Sequence, residues 1–176
     1  MIQAYAVFDV RAVEEAAMAG LSAGELMGRA AKGLAAVILE RLAERSGSRV
    51  VALVGGGNNG GDALYAAALL AQAGVATAAV CTAYGTVHPG GREAAVAAGV
   101  TLIQGGDRAQ WGEALAQADL VIDGITGIGG RPGLSDEARS WVGAIGPEAY
   151  VIAVDLPSGV DPAGLVGTAD CVFADE

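Results

Sequence analysis

The sequence predicts an α/β fold, a three-layer αβα sandwich with a Rossmann-like, mostly parallel sheet and additional N-terminal helices. From Val50 onward, short runs rich in valine and isoleucine alternate with alanine-rich stretches of helical spacing, which is the pattern of βαβ units. These runs are almost continuously apolar, as expected for parallel strands covered by helices on both faces. Three of them end in loops rich in glycine and aspartate, where such sheets bind ligands.

The region before Val50 is predicted to be helical. A first helix candidate, DVRAVEEAAMAG, ends at Gly20, and Ser22 then opens SAGE, a capping-box pattern with Glu25. Apolar residues follow at helical spacing, which favours packing against the core and, as the alternative, a dimer surface. This stripe consists of Leu26, Met27, Ala30, Ala31, Leu34, Val37, Ile38 and Leu42.

The remaining elements follow in regular alternation. The strand candidates are VVALVG, VATAAVC, VTLI, DLVIDG and YVIAVD. The helix candidates are residues 62–73, 89–98, 107–117 and 135–145. No repeat or linker divides the chain, so we expect residues 1–176 to form a single domain.

Charge and composition argue against several classes of partner. The chain carries 20 acidic and 10 basic residues, a net charge of −10, without a cluster of Lys and Arg. We therefore expect neither a nucleic-acid ligand nor a membrane-surface role. The apolar segment ALYAAALLAQAGVATAAV is interrupted by Gln72, Gly74 and Thr77, which favours a helix, a turn and a strand over a membrane span. No signal-peptide pattern opens the chain, and a cytoplasmic location is expected.

The loop GGGNNGGD follows the first strand candidate. Gly55, Gly57 and Gly60 match GxGxxG, but the stretch AVCTAYGTV, where a dinucleotide fold has its ribose-binding acid, contains none. Gly61 and Asp62 stand where a P-loop requires Lys and Ser or Thr. A glycine-rich turn at a helix N-terminus can nevertheless bind phosphate. Asp62 is expected near the helix start, as an N-cap or a ligand contact. Asn58 and Asn59 could occupy left-handed turn positions or bind a ligand.

Two further strand ends carry oxygen ligands. Asp123 ends one strand and is followed by Thr126, and Asp155 ends another and is followed by Ser158. Because the carboxyl ends of parallel strands share one edge, the three loops should open on the same rim. Amide, carboxylate and hydroxyl oxygens suit alkali or alkaline-earth cations and not zinc. His88, the only histidine, is expected to be a structural or surface residue.

Three motifs occur in order, GNNGGD, D-x-x-x-G-x-G-G and DLPSGVD, after an opening helix that contains LMGRAAKGLA. Together they resemble the NAD(P)H-hydrate epimerase family, the YjeF N-terminal domain. The resemblance implies an isomerase of metabolite repair that interconverts the R and S epimers of hydrated NADH and NADPH. It also implies a partner, NAD(P)H-hydrate dehydratase, which acts on the S epimer. A Rossmann-like fold, a homodimer and one potassium ion per subunit are further expectations.

The resemblance assigns roles to the matching positions. Asp155 should face the reacting ring and be the catalytic residue. Potassium should be held by Asn59, Asp123 and Ser158. Substrate contacts are expected from Asn58, Asn59, Gly60, Gly61, Asp62, Gly127, Ile128, Gly129, Gly130, Arg131, Pro132, Gly133 and Asp155.

The sequence departs from the family pattern at Ala63, where a further glycine is usual, and after Asp123, where a large aromatic residue is common. The chain stops at CVFADE where the family continues, so we expect a truncated C-terminal end. Two alternatives remain open at this point, a non-catalytic nucleotide-binding scaffold with the same fold and an ATP-dependent kinase.

Overall fold

A computed structural model describes residues 5–22, 24–82, 86–164 and 170–176. It contains a five-stranded parallel sheet in the order β3-β2-β1-β4-β5, with helices on both faces. The strands are β1 (Arg49–Val54), β2 (Ala76–Cys81), β3 (Thr101–Gln104), β4 (Leu120–Gly124) and β5 (Tyr150–Ala153). The helices are α1 (Val7–Met18), α2 (Glu25–Arg45), α3 (Asn58–Gln72), α4 (Pro89–Ala97), α5 (Arg108–Ala116) and α6 (Asp136–Val142). The predicted three-layer fold is confirmed.

The core has two halves, one on each face of the sheet. Along β1, Val50, Ala52 and Val54 face the half formed with α2, α3 and α4. Val51 and Leu53 face the half formed with α5 and α6. Because successive side chains of a strand point to opposite faces, a strand buried on both faces must be apolar throughout. This explains the unbroken apolar runs of the sequence.

The apolar stripe of α2 packs mainly against the core, as predicted. Ala31, Ile38 and Leu42 of the predicted stripe are buried, and Ala35, which the stripe did not include, is buried with them. The capping box is half formed, since the Ser22 backbone N–H donates to Glu25 Oε2 at 3.2 Å. The Ser22 hydroxyl also donates to that oxygen and caps no backbone N–H, because α2 begins at Glu25 after Gly24 in the left-handed region.

The start of α3 differs from the prediction. The helix begins at Asn58, four residues before the predicted start, because Gly57 makes the turn with φ of 93°. Asp62 is therefore in the second turn, and its prediction as an N-cap was wrong. Asn58 and Asn59 are helical, so the left-handed interpretation of these residues was also wrong.

Close backbone contacts seat α3 against the sheet. A Cβ on Gly60 would collide with the carbonyl oxygen of Gly55, and a Cβ on Gly124 would lie 2.5 Å from that of Ala63. Glycine at positions 60 and 124 thus allows the helix N-terminus to approach the ends of β1 and β4. Within the described ranges, no helix is both long and apolar enough to span a membrane. Residues 63–80 are instead divided between α3 and β2.

We expect Gly60→Ala to lower the free energy of unfolding by about 1–3 kcal/mol, the usual cost of overpacking a tight contact. Urea unfolding monitored by circular dichroism measures the change. Gly33→Ala is the matched control, because Gly33 is an exposed helical residue of α2 and a Cβ there would meet no atom within 4 Å. That control should gain about 0.5–1 kcal/mol from helix propensity. Equal effects of the two substitutions would contradict the packing argument.

Candidate functional site

A cleft of about 880 Å³ opens at the carboxyl end of the sheet. Its lining includes the start of α3, the loop after β4 and Asp155 after β5, so the three strand-end loops do open on one rim. The N-terminal helices complete the wall. From α1, α2 and the turn between them, the lining residues are Arg11, Glu14, Met18, Leu21, Ser22, Gly24, Leu26, Met27 and Ala30.

Asn59 lies on the wall of the cleft and is almost fully buried, with 8% of its surface exposed. Neither Oδ1 nor Nδ2 of its amide has a hydrogen-bond partner among the described residues. A Cβ on Gly127 would lie 2.8 Å from Asn59 Oδ1 and would also collide with Asp155 Oδ2. Gly127 therefore leaves room for an amide and a carboxylate that approach each other from α3 and from the loop after β5.

Asp123 is fully buried at the end of β4 and joins two of the loops. Its Oδ2 accepts the Ser158 backbone N–H at 2.7 Å, and its Oδ1 accepts the Ser158 hydroxyl at 2.6 Å. The Ser158 hydroxyl oxygen in turn accepts the Thr126 backbone N–H at 2.9 Å. Burial raises the pKa of Asp123, and the hydrogen bonds from Ser158 and Ile125 oppose that rise. Asp123 and Ser158 therefore form one buried oxygen cluster.

Asp155 has an unusual backbone conformation. Its φ of 63° lies in the left-handed region, which a residue with a side chain adopts at a cost of about 1 kcal/mol or more. The residue is partly open to solvent, yet the cleft walls desolvate its carboxyl and raise the pKa. The backbone N–H of Ile128 hydrogen bonds to the carboxylate and opposes the rise. The strained turn places the carboxylate on the cleft wall.

Asp62 is the second carboxyl of the cleft. Desolvation first, and then the negative charges of Asp155 and Glu14, raise the pKa of Asp62 to about 7. Its Oδ1 is buried without a hydrogen-bond partner within the described residues. Near neutral pH, one carboxyl of the Asp62–Asp155 pair can thus hold a proton while the other is ionised.

The structure separates the residues predicted to contact substrate into two groups. Lining the cleft are Asn58, Asn59, Asp62, Gly127, Ile128, Gly129, Gly130 and Asp155. Outside its lining are Gly60, Gly61, Arg131, Pro132 and Gly133. Gly60 and Gly61 are buried packing positions, and the Gly133 backbone N–H donates to the Gly159 carbonyl at 2.8 Å. The predicted cation ligands Asp123 and Ser158 lie beneath the surface of the cleft.

Sequence reasoning missed several lining residues. Tyr65 falls on the helical stripe Asn58–Asp62–Tyr65, a spacing that could have indicated it. His88 has the predicted structural role, since its Nδ1 accepts the Gly91 backbone N–H at 3.1 Å and caps α4. His88 also lines the cleft, 5.9 Å from the Tyr65 ring. The contribution of α1 depends on tertiary packing and leaves no local signal.

Comparison with known proteins places the chain in a family. Residues 23–175 match the family model of the YjeF-related protein N-terminus. The chain is 42% identical to the bifunctional NAD(P)H-hydrate repair enzyme Nnr of Mycobacterium leprae, over 89% of this chain and 33% of that protein. It is also 42% identical to the NAD(P)H-hydrate epimerase of Clavibacter michiganensis subsp. michiganensis, over 89% of this chain and 70% of that protein.

A solved structure agrees in fold. The crystal structure of the yeast protein YNL200c superposes with a TM-score of 0.73 at 20% identity, over 91% of this chain and 72% of the yeast chain. The chain spans about a third of the length of the mycobacterial repair enzymes that it matches. Because the family model matches residues 23–175 of the chain, the chain belongs to the YjeF-related protein N-terminus family.

Proposed function

We propose that this domain is an isomerase that interconverts the R and S epimers of hydrated NADH and NADPH. The observation that carries the proposal is the pair of carboxyls, Asp62 and Asp155, facing one cleft beside the N-terminus of α3. The names of relatives support it, since proteins of Clavibacter and Microbacterium that match most of this chain are called NAD(P)H-hydrate epimerase.

The start of α3 suits the diphosphate of such a substrate. Its first-turn backbone N–H groups have no partners within the helix and lie at the positive end of the helix dipole. The exposed Gly56 and Gly57 let a phosphate approach this backbone closely. A P-loop lysine is not required, because epimerisation transfers no phosphoryl group. The glycine-rich loop therefore serves binding and orientation.

The chemistry requires proton transfer at one carbon. The epimeric carbon carries a hydroxyl group and is bonded to the ring nitrogen, whose lone pair assists loss of the hydroxyl once it is protonated. A neutral carboxyl gives that proton, water leaves, and a planar iminium carbon remains. Water then adds to the opposite face and returns a proton to a carboxylate, so atoms and charge balance. Opening of the ring at the same carbon is the other route to a planar carbon.

Asp155 is assigned the acid–base role and Asp62 assists it. Asp155 lies at the rim beside Gly127, where a bound ring can reach it. Near neutral pH the two carboxyls can share one proton, because the Asp62 carboxyl is desolvated and is repelled by the charge of Asp155. On Asp155 this proton is available to the leaving hydroxyl, and on Asp62 it leaves Asp155 ionised and able to accept a proton. In this state Asp62 can donate a hydrogen bond to the hydroxyl of the substrate.

Potassium is the proposed cofactor, held by Asn59, Asp123 and Ser158. Two features suit a cation here, the unpartnered amide of Asn59 and the fully buried carboxylate of Asp123, which lacks a Lys or Arg partner within the described residues. Their oxygens are hard donors that suit an alkali cation. When bound, the ion would supply positive charge that offsets the crowded carboxylates.

The remaining expectations stay predictions. The mycobacterial relatives are named bifunctional repair enzymes, which supports the proposal that an NAD(P)H-hydrate dehydratase uses the S epimer. A homodimer would cover exposed apolar residues of α1, among them Phe8 and Val13. The cytoplasmic location rests on the sequence.

Asp155→Asn should lower the rate of epimerisation by about 10²–10⁴-fold, the usual contribution of a general acid–base group. The assay follows purified R and S hydrated NADH by chromatography with potassium present. Asp9→Asn, an exposed substitution of the same type outside the cleft, should leave the rate unchanged. Near-normal turnover by Asp155→Asn would contradict the acid–base role assigned to Asp155. Binding without turnover by the unsubstituted protein would support the scaffold alternative.

Potassium should raise the melting temperature relative to choline at equal ionic strength, with about 2.7 kcal/mol of stabilisation at a hundredfold excess over Kd. Asn59→Leu should abolish this shift because it removes an amide ligand. The same variant should be no less stable than the parent without potassium, since it removes a buried polar group that lacks a partner among the described residues. An unchanged potassium shift in Asn59→Leu would exclude Asn59 as a ligand.

Asp62→Asn should stabilise the protein at pH 8 but not near pH 4. The pKa of Asp62 is about 7 in the folded state and 3.8 in the unfolded state, so between these pH values the folded protein retains a proton that the unfolded protein releases. The free energy of unfolding therefore falls as the pH rises from 3.8 to about 7. The gain at pH 8 should be about 2 kcal/mol, since solvent at the cleft mouth screens part of the effect. Urea unfolding at several pH values measures it, with Asp9→Asn as control. A gain independent of pH would contradict the assignment.

A further inference from the structure

A second cavity of about 460 Å³ lies beside the cleft, on the α6 side of the sheet edge. We call it the Glu137 cavity. It shares Gly56, Ile125 and Thr126 with the cleft, so these three residues form the border between the two spaces. Its other lining residues are Gly55, Thr82, Ser135, Asp136, Glu137, Ala138 and Trp141. A ligand that crosses the border would occupy both.

The carboxylate of Glu137 is fixed over the ends of two strands. Its Oε2 accepts the Thr82 hydroxyl at 2.8 Å, and Thr82 directly follows β2. A Cβ on Gly105, which directly follows β3, would collide with Glu137 Oε1. Helix α6 lies on the face of the sheet opposite α3. It thus places the Glu137 carboxylate at the carboxyl end of β2.

In dinucleotide-binding folds an acidic residue at the end of the second strand binds the ribose hydroxyls of the adenosine half. The segment after β2 has no such acid in this sequence, and Glu137 supplies one from α6. We propose that the Glu137 cavity, with Glu137 held by Thr82 beside the glycine-rich loop, binds the adenosine ribose of a dinucleotide that lacks a 2′-phosphate. This inference rests on the proposed function, since it assigns the far end of the same substrate.

The neighbouring groups fit a ribose and its base. A carboxylate has two oxygens with two acceptor sites each, so it can accept both hydroxyls of a vicinal diol as well as hydrogen bonds from the protein. Trp141, with 1% of its surface exposed, contributes an apolar wall. Its indole N–H is buried without a hydrogen-bond partner among the described residues.

The charge of the cavity determines which dinucleotide fits. Its lining, among the described residues, contains Asp136 and Glu137 but no Arg or Lys. A 2′-phosphate would lie against the Glu137 carboxylate without a cation to neutralise it, whereas folds that accept NADP place an Arg there. The hydrated NADH epimers should therefore be preferred over the hydrated NADPH epimers.

The test compares ADP-ribose with 2′-phospho-ADP-ribose by calorimetry on the full chain, together with kcat/KM for both hydrated dinucleotides. ADP-ribose should bind at least about tenfold more tightly, the effect of one charge-assisted hydrogen bond. Glu137→Gln, which keeps the shape and an acceptor for Thr82, should reduce this preference to about threefold or less, and Glu137→Arg should reverse it. Glu148→Gln, the same type of substitution at an exposed carboxylate outside the lining of both spaces, should leave it unchanged.

Equal binding of the two probes by the parent protein would overturn the proposal, as would an equal loss of preference in Glu148→Gln and Glu137→Gln. Different results would contradict the proposed isomerase function and the proposed ribose subsite. If the parent protein prefers ADP-ribose but does not interconvert hydrated NADH epimers, the ribose subsite stands and the isomerase assignment falls. If epimerisation proceeds with the same kcat/KM for both dinucleotides, the isomerase assignment stands and the subsite falls.

Discussion

The site depends on the paired hydrogen bonds between Asp123 and Ser158. The two oxygens of the buried carboxylate accept the backbone N–H and the hydroxyl of Ser158, at 2.7 and 2.6 Å. Through the Ser158 hydroxyl the same cluster holds the Thr126 backbone N–H. The loops after β4 and β5 are thereby fixed relative to each other, and the hydrogen bond from the Ile128 backbone N–H to the Asp155 carboxylate joins the same two loops.

A fully buried carboxylate is costly unless its charge is balanced. Three donors at Asp123 offset part of that cost, but no Lys or Arg pairs with it in the described part of the chain. Asn59 on the same cleft is buried with an amide that has no hydrogen-bond partner in the described ranges, and Asp155 adopts a strained left-handed conformation. Such local costs persist where the surrounding fold is tightly determined. The close contacts of Gly55, Gly60 and Gly124 provide that rigidity.

Local patterns and spatial relations were predictable to different degrees. The five strands could be predicted from apolar runs, because a strand buried on both faces must be apolar at nearly every position. The common rim could be predicted because the carboxyl ends of parallel strands lie at the same edge of the sheet. The prediction placed the start of α3 too late, because the four residues from Asn58 to Gly61 are small or polar and have poor helix propensity. In the structure the turn at Gly57 starts the helix at Asn58 despite that propensity. The elevated pKa of Asp62 and the position of Glu137 depend on contacts between distant segments, for which a single sequence carries no periodicity.

The strand order explains how the two spaces at the sheet edge can serve one ligand. β1 and β4 are neighbours, and the chain leaves β1 toward α3 on one face and β4 toward α6 on the other. Their edge is a switch point, so the cleft and the Glu137 cavity open on opposite sides of a border formed by Gly56, Ile125 and Thr126. A dinucleotide, with its diphosphate at the start of α3, can place its ring beside Asp155 and its ribose beside Glu137. The topology therefore brings the two proposed subsites to one edge of the sheet, on either side of the start of α3.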